Sequence, residues 1–281
     1  MTAPTMPLGA PPSSRWGALP RGVKGALVVL VLLALAAIVA PLVASSASEA
    51  MDLTARRAAP SVGHWFGTDE LGRDVLARVL SGARVSLAIG FLSALLAVAL
   101  GSAIGTIGGF VGGWVDAALM RLTDAMLAIP RLPFLMIVAA ILQPSIPLLI
   151  VLVGAAGWME TARVVRAEVL SLAQRGFVEA AQATGVPAAR VLSGHIIPNV
   201  LGTVAVSATL AVGRGILMES ALSFFGVGVQ PPAASWGNML YQAQTTLTSE
   251  PWLAIFPGMA IFVTVLCVNV VGEQLAQGDR A

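Results

Sequence analysis

The side chains that most often carry out chemistry are scarce in this chain, and their spacing does not fit catalysis. It has two histidines, His64 and His195, and one cysteine, Cys267. A nucleophile needs a base within hydrogen-bonding reach, and we expect the two histidines on opposite sides of a membrane. The zinc pattern His-Glu-x-x-His does not occur. We therefore expect no metal site and no enzymatic activity of this chain alone, with an intramembrane hydrolase as the disfavoured alternative.

Nucleotide chemistry has as little support in the sequence. The phosphate-binding loop Gly-x4-Gly-Lys-Ser/Thr needs a lysine that reaches the terminal phosphates. The single lysine, Lys24, is followed by Gly25 and lies outside any such pattern. We expect no cofactor in this chain, so any energy from ATP must come from another polypeptide.

The polar segment from Glu179 to Asn199 suggests a docking site instead. Glu179, Ala180 and Ala181 predict a short helix with a small-residue face that another protein could approach closely. Gly185 is placed to end this helix in the left-handed conformation. An ordinary loop, in which Glu179 only interacts with a helix N-terminus, explains the same residues. The residue types alone leave both interpretations open.

The composition predicts an integral membrane protein. Hydrophobic residues make up 57% of the 281 residues, charged residues only 11%, and the mean hydropathy is +0.87. Soluble domains carry about a quarter charged residues. The net charge of +2 forms no basic stripe, so we expect membrane lipid as a partner and no nucleic acid.

Six apolar segments predict an all-α fold with six transmembrane helices. About twenty helical residues span the hydrocarbon core, and the segments lie near 25–44, 84–108, 114–130, 134–155, 201–225 and 253–272. The first could be a cleaved signal peptide, since small residues follow at 44–47. The run is longer than the apolar h-region of a usual signal peptide, however, and the tail before it is long, so we predict an uncleaved helix.

Several charged residues fall inside these segments. Asp116, Arg121 and Asp124 lie in the third segment, and a half-polar helix is expected to face a protein interior. Arg121 and Asp124 are three residues apart and could pair on one helix face. They form either a structural ion pair or part of a translocation path or partner contact. Glu219, with Arg214 close by in the fifth segment, leaves the same two alternatives.

Positive charge on short loops predicts that both ends of the chain are cytoplasmic. Basic residues precede the first helix and recur between the fourth and fifth, at Arg163, Arg166, Arg175 and Arg190. Arg56, Arg57 and Arg73 count against this orientation. The predicted organisation is a flexible cytoplasmic tail (1–22), a first transmembrane helix (23–45), an extracytoplasmic segment (46–83), a core (84–272) with a cytoplasmic loop at about 160–200, and a cytoplasmic tail (273–281).

The polar segment resembles the "EAA" loop of permease subunits of binding-protein-dependent ABC importers. The pattern is matched by Glu179-Ala180-Ala181, Gly185, Ile197 and Pro198, and His195 followed by Ile-Ile-Pro-Asn is similar to the dipeptide/oligopeptide/nickel subfamily. The outer motifs resemble the second, "C"-type permease subunit of that subfamily; they are Gly67-Thr68-Asp69-x-x-Gly72-Arg73-Asp74, Glu219 to Gly226, and Ser235-Trp236-Gly237-Asn238. The resemblance runs from about residue 64 to 273.

This resemblance implies a type I ABC importer permease (MetI-like) fold and a coupling helix that docks on an ATPase. The docking residues would be Glu179, Ala180, Ala181, Gly185, Arg190, His195 and Pro198. The implied partners are a homologous second permease subunit, two ABC ATPase subunits that hold ATP and magnesium, and an extracytoplasmic substrate-binding protein. His195 is expected to form local hydrogen bonds and not to bind metal.

The resemblance also implies ATP-driven import by alternating access across a bacterial or archaeal plasma (inner) membrane. Short peptides are the expected cargo, with nickel chelates, haem or another small solute as alternatives. A secondary transporter or channel without ATPase partners is disfavoured, because the two halves show no convincing repeat. The outer residues Gly67, Asp69, Arg73, Asp74 and Trp236 form either an outer gate or binding-protein contact, or a tight turn with a helix N-cap.

Overall fold

A computed structural model describes residues 20–278, with side-chain placement for all of them except 40–49 and Gly278. The predicted flexible tail, 1–22, lies almost entirely outside these residues. The described chain forms eleven α-helices: α1 (Arg21–Glu49), α2 (Val75–Val111), α3 (Gly113–Leu127), α4 (Arg131–Leu142), α5 (Ile146–Ala155), α6 (Trp158–Ala173), α7 (Gly176–Ala183), α8 (Ala188–Val191), α9 (Ile197–Phe224), α10 (Trp236–Ala243) and α11 (Trp252–Gly278).

The helices confirm an all-α membrane fold with roughly six crossings. Five helical stretches are long and apolar enough to span a bilayer: Arg21–Val39, Val75–Val111, Ile146–Ala173, Ala188–Phe224 and Trp252–Gln277. A sixth crossing results if α3 and α4, which meet at an angle of 80°, are counted as one broken span. Between residues 20 and 278 the only β pairing is a single bridge between Thr68 and Asp74.

The fourth crossing was wrongly placed from hydropathy. The predicted segment 134–155 is interrupted where Gln143 has a φ of 56°, and Ser145 caps a new helix there. The fourth crossing is therefore Ile146–Ala173 and not 134–155. The polar loop begins after Ala173, later than the expected position near 160. Hydropathy misled because Arg163 and Arg166 are polar, yet both lie within α6 and form ion pairs with α3.

Close helix packing around α2 depends on glycines, which have no side chain. A Cβ on Gly105 would lie 2.5 Å from the Ala162 carbonyl oxygen, and one on Gly109 would lie 2.9 Å from Val169 Cβ. At the contact between α2 and α9, a Cβ on Gly215 would lie 2.9 Å from the Gly90 oxygen. Small residues let membrane helices approach until their backbones touch. The same helix α2 is thus held tightly against both α6 and α9.

The connecting segments divide between two ends of the bundle. The loop end comprises residues 50–74 and 226–251, where the Phe66 and Phe256 rings stack 3.8 Å apart and the Trp236 indole donates to the Val79 oxygen over 3.0 Å. The opposite end contains the polar segment at residues 174–196. We call it the island end, because we use the name island for residues 176–198. Because α11 starts at the loop end and α1 finishes there, Arg21 and Gly278 lie at the island end.

Candidate functional site

The polar segment folds as two short helices joined by a tight turn. Helix α7 ends at Ala183, and Gly185 takes a φ of 78°. This is the left-handed conformation expected from the sequence, and glycine adopts it without strain. The Gly185 amide donates to the Gln182 oxygen over 3.0 Å and the Val186 amide donates to the Ala181 oxygen over 3.1 Å. The turn therefore satisfies the carbonyls at the end of α7.

Three apolar side chains anchor this segment to the membrane helices. Val178, Val191 and Ile196 are fully buried and pack with Val165, Val169, Leu172 and Val200. Those partners belong to α6 and α9, so the island is fixed to the crossings on both sides of it. A displacement of the island would be passed to α6 and α9 through these contacts.

The remaining surface of the island is open. Glu179, Ala180, Gly185, Arg190 and Pro198 are exposed, and Ala181 and His195 are half-buried. A Cβ on Gly185 would meet nothing within 4 Å. A rigid, exposed helix of small residues can accept another protein at close range. The sequence-predicted docking residues thus share one end of the molecule, and their docking role itself stays a prediction.

A wide helical turn leads from the island into α9. Residues Leu192–Ile196 form a π-helical turn, and Pro198 stands in the first turn of α9. A proline ring clashes with the carbonyl four residues earlier in a regular helix, and a π turn relieves that clash by adding a residue. The His195 oxygen accepts from the Asn199 side-chain amide over 2.6 Å. Among residues 20–278, no group of three or more potential ligands could hold a metal ion.

The acidic residues of α3 pair between helices, not within one. Asp116 forms a two-point ion pair with Arg166, and Asp124 pairs with Arg163. The predicted pairing of Arg121 with Asp124 is therefore wrong, because Asp124 faces α6 while Arg121 is exposed. These pairs support the structural interpretation of Asp116 and Asp124, in which they lock α3 against α6.

Glu219 is a fully buried carboxylate with hydroxyl partners. It accepts from Ser86 over 3.0 Å and from Ser223 over 2.7 Å. Ser86 in turn accepts from the Trp236 amide over 3.1 Å. The network joins α2, α9 and α10. Glu219 does not pair with Arg214 and has no exposed surface, so it does not line an open pathway in this conformation.

The outer motif is a tight turn that caps α2. Gly67 and Gly72 both have a φ of 75°, and a Cβ on Gly72 would lie 1.8 Å from the Asp52 oxygen. Thr54 donates to the Asp52 carboxylate over 2.6 Å and lowers the pKa of Asp52. Asp74 accepts from the Ala77 amide over 2.9 Å as the N-cap. The geometry supports the tight-turn alternative for this motif.

Direct contact of a binding protein with three of the outer residues is contradicted by their burial. Asp69 and Arg73 form an ion pair of 2.7 Å with side chains about one-tenth exposed or less, and Trp236 is fully buried. The Trp236 indole instead packs against α2 and hydrogen-bonds there, and the outer-gate alternative for this residue stays a prediction. A tryptophan beside polar residues in sequence gave no sign of this long-range partner.

A charged cluster that we did not predict lies among α4, α6 and α9. Arg131 donates to Glu160 over 3.0 Å, and Arg214 forms an ion pair with the other oxygen of the same carboxylate. The sequence signal for this cluster is that Arg131 and Glu160 flank a stretch without charged residues, 132–159. Because hydropathy predicts one crossing at 134–155, it places the two ends of this stretch on opposite sides of the membrane.

These features define a multi-pass helical membrane protein with an exposed pair of short helices at one end. Residues 97–278 match the family model "Binding-protein-dependent transport system inner membrane component". The chain belongs to this family, which confirms its resemblance to permease subunits of ABC importers, and it is a transport subunit.

Curated relatives agree with this assignment. The chain is 42% identical over 257 residues to an oligopeptide transport system permease protein OppC of Escherichia coli (strain K12), covering 91% of this chain and 85% of the relative. It is 41% identical over 227 residues to a putative peptide permease protein of Brucella suis, covering 80% and 75%. It is 38% identical over 249 residues to a dipeptide transport system permease protein DppC of Alkalihalophilus pseudofirmus, covering 89% and 82%.

Proposed function

We propose that this chain is the second permease subunit of an ATP-driven importer of short peptides in a bacterial or archaeal plasma (inner) membrane. The island carries the proposal, because its short helices are exposed and are anchored by buried side chains to two crossings. The peptide cargo is inferred from the relatives, which are named as oligopeptide and dipeptide transport permeases. Nickel chelates, haem or another small solute are the alternative cargoes within the same class.

The proposed assembly contains four further subunits. A homologous permease supplies the other half of the pathway, two ABC ATPase subunits hold ATP and magnesium, and an extracytoplasmic binding protein delivers cargo. In this assignment the island end faces the cytoplasm, together with both termini, and the loop end faces the binding protein. Basic residues Arg175 and Arg190 at the island end support that orientation.

The proposed mechanism is alternating access driven through the island. Closure of the ATPase dimer on ATP would displace the island, and the contacts of Val178, Val191 and Ile196 would pass this motion to α6 and α9. These two helices would then open the pathway toward the binding protein. Hydrolysis would return them to the state open to the cytoplasm. In this scheme the chain holds no nucleotide and performs no hydrolysis.

Uptake by the purified assembly tests the proposal. The two permeases and their ATPases are reconstituted in liposomes, and a radiolabelled tripeptide is supplied with the binding protein. We expect uptake that requires ATP on the ATPase side and stops when the catalytic ATPase residues are inactivated. Uptake that follows an ion gradient and persists without the ATPases would instead identify a secondary transporter. Nickel chelates and haem supplied in the same assay distinguish the alternative cargoes.

A further inference from the structure

The cluster of Arg131, Glu160 and Arg214 carries an excess positive charge inside the membrane region. Two guanidinium groups share one carboxylate, through a hydrogen bond of 3.0 Å from Arg131 and an ion pair from Arg214. An arginine has five N–H donors and stays charged. One carboxylate therefore neither neutralises the two side chains nor satisfies their donors. The pairs Asp116–Arg166 and Asp124–Arg163 differ, because each joins one positive and one negative side chain.

The cluster lies deep in the bundle and beside two helix interruptions. Arg214 is ten residues before the end of α9 at Phe224, which places it roughly 15 Å from the loop end of that helix. Arg131 begins α4 directly after the 80° bend, and Glu160 stands in the first turn of α6 after the break at Ala156–Gly157. Interrupted helices within a bilayer occur where the backbone borders protein or a water-filled cavity.

The side chains of the cluster are partly exposed, and its two arginines border an opening. Their exposed fractions are 23% for Arg131, 38% for Glu160 and 41% for Arg214. Arg131 and Arg214 line a small opening together with Ser93, Val153 and Met218. Charged side chains in membrane segments rarely face lipid and instead border the bundle interior or a water-filled path. No side chain caps the N-terminus of α4. The partial positive charge of this helix end makes the electrostatic potential at Arg131 more positive.

We propose that Arg131 and Arg214 form a subsite for the carboxylate of the cargo in transit, with Glu160 as the group that holds them between cargoes. The proposal rests on the proposed function and names the part of a peptide that this chain recognises, its free C-terminal carboxylate. Guanidinium groups bind carboxylates through two parallel hydrogen bonds. A cargo carboxylate would supply the missing negative charge, and competition from Glu160 would keep the binding weak enough for release.

The test compares two cargoes that differ only in this group. Trialanine with a free carboxylate and trialanine with a C-terminal amide are each supplied to the reconstituted importer at concentrations that saturate the binding protein. For Arg214→Gln we expect uptake of the free acid to fall roughly tenfold, as for the loss of one charge-assisted hydrogen bond, and uptake of the amide to change less than about twofold. Arg214→Lys should recover part of the uptake of the free acid.

Arg163→Gln is the matched control, because it removes an arginine from an ion pair with Asp124 outside this opening. Its effect should be equal for both peptides. Equal losses for both peptides with Arg214→Gln would assign the cluster a structural role and overturn the proposal, as would unchanged uptake. Loss of co-purification with the second permease would also overturn the proposal, because it would assign the cluster to the contact between the two permeases. A wild-type complex that moves neither peptide would instead contradict the proposed function.

Discussion

Glu179→Lys is expected to lower ATP-driven uptake by more than about tenfold while the protein remains folded and in the membrane. Glu179 is exposed in the first turn of α7, on the face that we assign to the ATPase. Breaking a charge pair within an interface costs about 2 to 5 kcal/mol, which corresponds to a loss of affinity of more than about tenfold. The measurements are co-purification of the ATPase subunits and tripeptide uptake in proteoliposomes.

Glu273→Lys provides the matched control for this prediction. Glu273 is an exposed carboxylate on α11 and lies outside the island. The same change of charge there should leave ATPase association and uptake within about twofold, as expected for a surface substitution. If Glu179→Lys also retains both, the island is an ordinary loop and its docking role is contradicted.

Glu219→Lys is expected to prevent accumulation of the folded protein. The Glu219 side chain is fully buried and accepts hydrogen bonds from Ser86 and Ser223. A lysine there would place an unpaired cation among hydroxyl groups that donate to the native carboxylate, at a cost of about 3 to 5 kcal/mol. The free energy of unfolding of a domain is only about 5 to 15 kcal/mol. Membrane abundance and thermal unfolding in detergent measure the effect.

Glu219→Gln separates the loss of charge from the loss of shape. A glutamine fits the space but offers one acceptor oxygen in place of two, so one serine hydroxyl must rotate. We expect a loss of about 1 to 3 kcal/mol in the free energy of unfolding, with uptake retained by the protein that folds. Equal abundance of the Glu219→Lys variant and the wild type would show that this network does not stabilise the fold.

The sequence predicted those parts of the site that depend on local chemistry. Gly185 ends α7 with positive φ, and Asp74 caps α2, because both conformations are determined by residues within one helical turn. The all-α membrane class followed from composition. Family membership followed from motifs in a fixed order, which are far more specific together than singly.

The parts that depend on distant contacts could not be predicted in this way. The partners of Asp124 and Glu160 lie on other helices, 39 and 29 residues or more away along the chain. Hydropathy ended the fourth crossing too early, because it counts Arg163 as polar whether or not an ion pair satisfies it. Trp236 likewise finds its hydrogen-bond acceptor 157 residues away, at Val79.

The central proposal is that ATP-driven movement of the ATPase subunits is transmitted to this chain by contact at the island. Photo-cross-linking in the assembled importer tests it most directly, with a benzophenone amino acid placed at Ala180 and, in a second variant, at Trp65. Ala180 is exposed on the island, and Trp65 is 70% exposed at the loop end. We predict that position 180 cross-links to an ATPase subunit and position 65 does not. Absence of an ATPase cross-link at position 180, or a cross-link there to the binding protein, would contradict the account.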